Sequence, residues 1–138
     1  MTKLLLALAL VGCMASLGYA ETDHEKAVKA YYTGFQTHNW NMVAGTLADG
    51  FTFTTQINDH ISAKDFKETC WPTNKFFKSF RFVEEVPSGD ELFVLVEMTT
   101  TDNKLVRNID RYTFSGGKIK SVEVFFGPGD SYPGKTSK

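Results

Sequence analysis

The chain has 138 residues, a formal net charge of −1 and two cysteines. This excludes a disulfide-stapled miniprotein, and a near-neutral charge with no long basic run argues against a nucleic-acid partner. Twelve Phe, five Tyr and two Trp need a large core, a pocket lining or an interface to cover them in a chain of this size.

Lys3 precedes an apolar run from Leu4 to Leu17. That run is too short to span a bilayer and suits a signal-peptide core. Gly18-Tyr19-Ala20 then offers small residues at the −3 and −1 positions of a cleavage site. Cleavage after Ala20 is expected, giving a secreted or periplasmic protein with no transmembrane segment. In a rival reading, Leu10-Val11-Gly12-Cys13 is a lipoprotein box and the protein is anchored at Cys13. Residues 21–127 are expected to form one domain and 128–138 a flexible tail. Cys70 is then either a small buried residue on a helix or one half of an intermolecular disulfide.

Thr22 or Asp23 can cap a helix reaching about Thr37. Its apolar stripe is Ala27, Val28, Tyr31, Tyr32 and Phe35. Asn39 can cap a second, short helix with Trp40, Val43, Ala44 and Leu47 on one side, ended by Ala48-Asp49-Gly50. Phe51 to Thr55 alternates as a strand, and Ile57 to His60 reads as a turn. Ser62, with Asp65 three residues on, caps a third helix through Phe66 to about Trp71, where Pro72 stops or redirects the chain.

The second half reads as strands: Phe76 to Val86, Glu91 to Thr101, Leu105 to Phe114 and Lys118 to Phe126. They are separated by Pro87-Ser-Gly-Asp90, Asp102-Asn103 and Gly116-Gly117. Such short connections make an antiparallel meander. Alternation directs Phe51, Phe53, Thr55, Asp110, Tyr112, Val122, Val124 and Phe126 towards the helices. Arg107, Arg111, Leu105 and Ile109 fall on the outer face. Asp110 therefore sits on an aromatic face, where a carboxylate must be paired, hydrogen-bonded or protonated. It is either a structural hydrogen-bonder or the polar centre of a pocket. His24, His38 and His60 lack metal-ligand spacing, so no metal is expected, and no motif calls for a cofactor.

The element order resembles the nuclear transport factor 2-like superfamily. So do Leu47-Ala-Asp-Gly-Phe-Thr-Phe and Ile109-Asp-Arg-Tyr-Thr-Phe…Gly-Lys-Ile…Val-Phe-Phe-Gly127. The likeness runs from about Asp23 to Gly127. The superfamily holds ketosteroid isomerases, SnoaL-type polyketide cyclases and scytalone dehydratase, so the resemblance implies a fold and no single activity. The implied fold is an α+β cone, three N-terminal helices packed on a curved antiparallel sheet. A homodimer through the outer sheet face is implied as well. Against ketosteroid isomerases, Asp110 matches the protonated aspartate and Tyr31 the tyrosine of the oxyanion hole, while Thr55 stands in place of the base. Threonine has no useful basicity near neutral pH.

The expected site is a mostly apolar pocket lined by Tyr31, Phe53, Thr55, Asn108, Asp110, Tyr112 and Val124. Its expected ligand is a small hydrophobic molecule of carbonyl type. Asp110 and Tyr31 are the candidate catalytic pair, and burial should raise the Asp110 pKa. Two alternatives stay open. One is a lyase, cyclase or isomerase using Asp110, and the other is a pocketless dimeric interaction module.

Overall fold

The structure, a computed structural model, describes residues 21–126. The proposed signal segment with Cys13 and Ala20, and the proposed tail, lie outside the described residues. Helix α1 (Asp23–Gln36) opens on a capping box. Glu25 N–H donates to Thr22 Oγ1 at 3.2 Å, and the Glu25 carboxylate accepts from Thr22 N–H at 2.6 Å. Its stripe buries Val28, Tyr31 and Tyr32. Helix α2 (Trp40–Thr46) is capped by Asn39, whose side-chain oxygen accepts from Met42 N–H at 3.2 Å. The two helices cross closely at Gly34, which is buried. A Cβ there would lie 2.6 Å from Val43 Cγ2.

Strands β1 (Leu47–Thr54), β2 (Ile61–Ser62), β3 (Phe77–Ser88), β4 (Glu91–Thr100), β5 (Leu105–Ser115) and β6 (Lys118–Phe125) form one curved sheet in the order β2-β1-β6-β5-β4-β3. The sheet is mixed and not wholly antiparallel, because β1 lies parallel to β6. Tight turns join β3 through β6, each to the next, and these strands run antiparallel as expected. No such turn constrains β1, which is separated from β6 by the third helical segment and the whole meander. Register shifts that leave Val83 of β3 and Lys120 of β6 unpaired mark bulges that bend the sheet.

Four boundaries differ from the sequence pattern. Leu47 is the first residue of β1 and not the end of the helix stripe; it pairs with Ile119. Thr55 lies just past β1. The third helical segment starts as α3 (Ala63–Asp65), widens to a π-turn at Phe66–Cys70 and tightens to a 3₁₀ turn at Trp71–Phe76. Pro72 sits in the first turn of that last piece, where its missing N–H is harmless, and so does not end the run. Pro87 continues β3, opposite Leu92. An edge strand tolerates proline because one side of its backbone has no partner. The pairing register puts Leu92, Val94, Val96, Met98, Asp110, Tyr112 and Val122 on one sheet face. All seven are buried there under the helical segments. Phe66, 1% exposed, is the hub: its ring lies 4.5 Å from that of Phe53 and also contacts Tyr31, Phe35, Trp40 and Phe51.

Candidate functional site

Asp110 sits mid-strand on β5, between Val94 of β4 and Val124 of β6. It is 4% exposed. Strand alternation aims it at α1, and α1 meets it with an adjacent pair of tyrosines. Tyr32 donates its hydroxyl to Asp110 Oδ2. Tyr112 donates to the same oxygen at 3.3 Å. Asp110 Oδ1 is buried and takes no hydrogen bond from any described residue. Burial pushes the carboxyl pKa from 3.8 up to about 7, and the two tyrosine hydroxyls hold it from rising further. Burial, then the charge of Asp110, drives the Tyr31 phenol well above its ordinary range. Burial also leads for Tyr32 and Tyr112, so all three hydroxyls stay protonated.

Beside this group lies a cavity of about 390 Å³, within the ordinary size range of small-molecule sites. Asp110 and Asn108 supply its polar floor. Tyr31, Tyr32, Phe35, Phe53, Phe66, Phe80, Met98 and Val124 form the apolar wall. Ile57 and Phe126, 88% and 38% exposed, stand at the mouth. Thr69, Cys70 and Thr73 come from the π-turn and its 3₁₀ continuation. The wide π-turn shifts side-chain phase within one helical run. Cys70 therefore lines the cavity half-buried, and its sulfur accepts a weak bond from Asn58 Nδ2 at 3.6 Å.

The expected residues fall unevenly. Tyr31, Phe53, Thr55, Asn108, Asp110 and Val124 line the cavity. Tyr112 does not. It is fully buried below the floor, edge-on to Tyr31, and supports the site through its bond to Asp110. The α1 tyrosine bonded to the carboxyl is Tyr32 and not Tyr31. Tyr32 shares the apolar stripe of α1, but spacing alone does not tell which of two neighbouring hydroxyls reaches a strand opposite. Thr55 serves the local chain: its Oγ1 accepts from the backbone N–H groups of Ile57 and Asn58 at 3.3 and 3.2 Å, and so organises the loop after β1. Arg107 and Arg111 lie on the outer face as expected, paired with Glu97 and with Glu91 and Glu123.

Among known families, the profile of the SnoaL-like domain matches residues 28–122. Curated proteins yield no match. Solved structures share the fold at low identity. An NTF2-like protein of unknown function from Cytophaga hutchinsonii is 17% identical with a TM-score of 0.66, over 81% of this chain and 96% of that one. An epoxide hydrolase of LEH-like type from M. tuberculosis is 12% identical with a TM-score of 0.61, over 76% and 83%. TerC, co-crystallised with polyporic acid, is 16% identical with a TM-score of 0.60, over 77% and 92%.

Proposed function

The chain belongs to the SnoaL-like domain family of the nuclear transport factor 2-like superfamily, and from that premise we propose an exported domain that binds a small hydrophobic carbonyl compound. The curved sheet and the helices on it make the cone that encloses the ligand. One observation carries this. Asp110 Oδ1 is buried beside an apolar cavity with no hydrogen bond from any described residue, while its twin oxygen takes two tyrosine hydroxyls. With both donors on Oδ2, the proton of the neutral acid sits on Oδ1, the oxygen left for a ligand. A carbonyl oxygen is the natural acceptor for it. Co-crystallisation of the fold relative TerC with polyporic acid supports a small-molecule occupant. Export is supported by the apolar run from Leu4 to Leu17 and the small residues before Glu21.

Benzophenone and its carbonyl-free counterpart diphenylmethane test the assignment at about pH 6, below the carboxyl's pKa of about 7. Calorimetry should show benzophenone binding roughly tenfold tighter, about the worth of one buried hydrogen bond. Asp110→Asn, whose amide still donates, should keep that preference. Asp110→Leu should abolish it. If Asp110→Leu retains the preference, the aspartate is structural and the carbonyl assignment falls.

A pKa near neutrality also favours a second reading, in which Asp110 moves a proton as the acid or base of a lyase, cyclase or isomerase. Hydrogen–deuterium exchange at the carbon beside the carbonyl of 1-tetralone would reveal it. Exchange above the buffer rate, lost in Asp110→Asn, makes the protein an enzyme. The buffer rate alone leaves it a binder.

The outer sheet face supports homodimerisation. Leu95, Ile109 and Phe125 form a cross-strand apolar row, with Ile109 47% and Phe125 50% exposed. Val86, 48% exposed, lies opposite Phe93 in the next row. Ion pairs of Glu97 and of Arg111 flank the patch on either side.

A further inference from the structure

The cavity floor holds a second orphan acceptor. Asn108 Oδ1, like Asp110 Oδ1, is buried without a hydrogen bond from any described residue. Both residues line the cavity. They are consecutive inward positions of β5, opposite Val96 and Val94 of β4. Two strand residues at about 3.4 Å each put their side chains about 7 Å apart on one face. A valine or leucine would fill position 108 without any unpaired polar atom, so an asparagine there is costly unless something answers its oxygen. An amide oxygen can only accept, and its partner must therefore donate. Asp110 presents the opposite polarity, because its second oxygen already takes both tyrosine hydroxyls.

We propose that the ligand is a hydroxy-carbonyl compound on an otherwise apolar ring frame, its carbonyl accepting from Asp110 and its hydroxyl donating to Asn108. The proposal rests on the carbonyl reading above and adds the second polar group, its sign and its spacing. A separation of about 7 Å is roughly the reach from a carbonyl oxygen to a hydroxyl at the far corner of the attached six-membered ring. Phe53, Phe66, Phe80, Met98 and Val124 line the same cavity and offer apolar faces to the ring frame.

Benzophenone, 4-hydroxybenzophenone, 3-hydroxybenzophenone and 4-methoxybenzophenone provide the test on the unaltered protein, so no variant has to fold. The 4-hydroxy compound should bind at least about tenfold tighter than benzophenone. The 4-methoxy compound, which has the oxygen but not the proton, should bind no better than benzophenone. The 3-hydroxy compound should fall between them because its spacing is short. Asn108→Leu, checked for an unchanged thermal midpoint, should erase the hydroxyl's advantage, so that the variant binds 4-hydroxybenzophenone no tighter than benzophenone. If benzophenone binds and the hydroxyl adds nothing, or the methoxy compound matches the hydroxy one, the Asn108 inference fails and the carbonyl reading survives. If none of the ketones binds, both fail.

Discussion

At Asp110 two effects oppose each other. Removal from water favours the neutral acid, and the hydroxyls of Tyr32 and Tyr112 favour the carboxylate; burial prevails, leaving a pKa of about 7. Tyr32→Phe removes one stabiliser of the charged form, so the Asp110 midpoint should move above that of the parent protein, at a stability cost of about 1–2 kcal/mol. A carbon-13 NMR titration of the side-chain carboxyl reads the midpoint directly. A parent midpoint in the ordinary aspartate range would refute the dominance of burial. The groups facing Asp110 from the elements around it include Tyr31 and Tyr32 of α1 and Tyr112 of β5, none of which titrates near neutrality. Linkage then has a definite sign. A folded-state pKa above the ordinary 3.8 means the folded chain holds the proton more tightly than the unfolded one. The contribution is full below about pH 4 and is lost as pH rises to about 7, on the order of 4 kcal/mol in all. In urea denaturation, Asp110→Asn should flatten the stability profile across that window.

Two glycines in the helices make contrasting tests of packing. Gly34 of α1 faces α2, and an added Cβ would meet Val43 Cγ2 at 2.6 Å, Val43 N at 3.0 Å and Asn39 O at 3.2 Å. Val43 is fully buried, and two of the three neighbours are backbone atoms, so little can yield. Gly34→Ala gains about 1 kcal/mol of helix propensity but suffers overpacking of about 1–3 kcal/mol, and should be neutral to destabilising by about 2 kcal/mol. Gly45 of α2 is open by contrast, with nothing within 4 Å of the point where a Cβ would sit. Gly45→Ala should therefore stabilise by about 0.5–1 kcal/mol. Thermal denaturation of both variants checks the pair. A stabilised Gly34→Ala would mean that α1 and α2 do not approach as closely as these distances require.

For the whole molecule, the proposed second copy covers the apolar row of Leu95, Ile109 and Phe125. Ile109→Lys places an unpaired charge at the centre of that patch without touching the cavity face. Sedimentation equilibrium at micromolar concentration should give twice the chain mass for the parent and the single mass for the variant. A parent at single mass removes the dimer. The outer-face carboxylates add a small, acid-sensitive contribution to stability. Arg81 and Arg107 hold Glu97 below the ordinary carboxylate range, and Arg111 does the same for Glu91. Their contribution is present above the usual glutamate pKa and is lost as pH falls through their depressed values.

Periodicity by itself determined the helix stripe of α1 and the inward facing of Asp110, because each depends only on the residue repeat of a single element, and the short turns between strands determined the meander of β3 to β6. Residue chemistry likewise determined that an aspartate among aromatics must be neutral or bonded. The partner of β1 is a different matter, since a strand far from its neighbour in sequence carries no turn to set its direction. The π-turn that brings Cys70 to the cavity also left no mark in composition. The choice of Tyr32 over Tyr31 and the exclusion of Tyr112 from the cavity wall depend on how α1 is rotated and seated against β5. Neighbouring residues of one helix differ by about 100° around its axis, and only the packing of whole elements decides which of them meets the carboxyl.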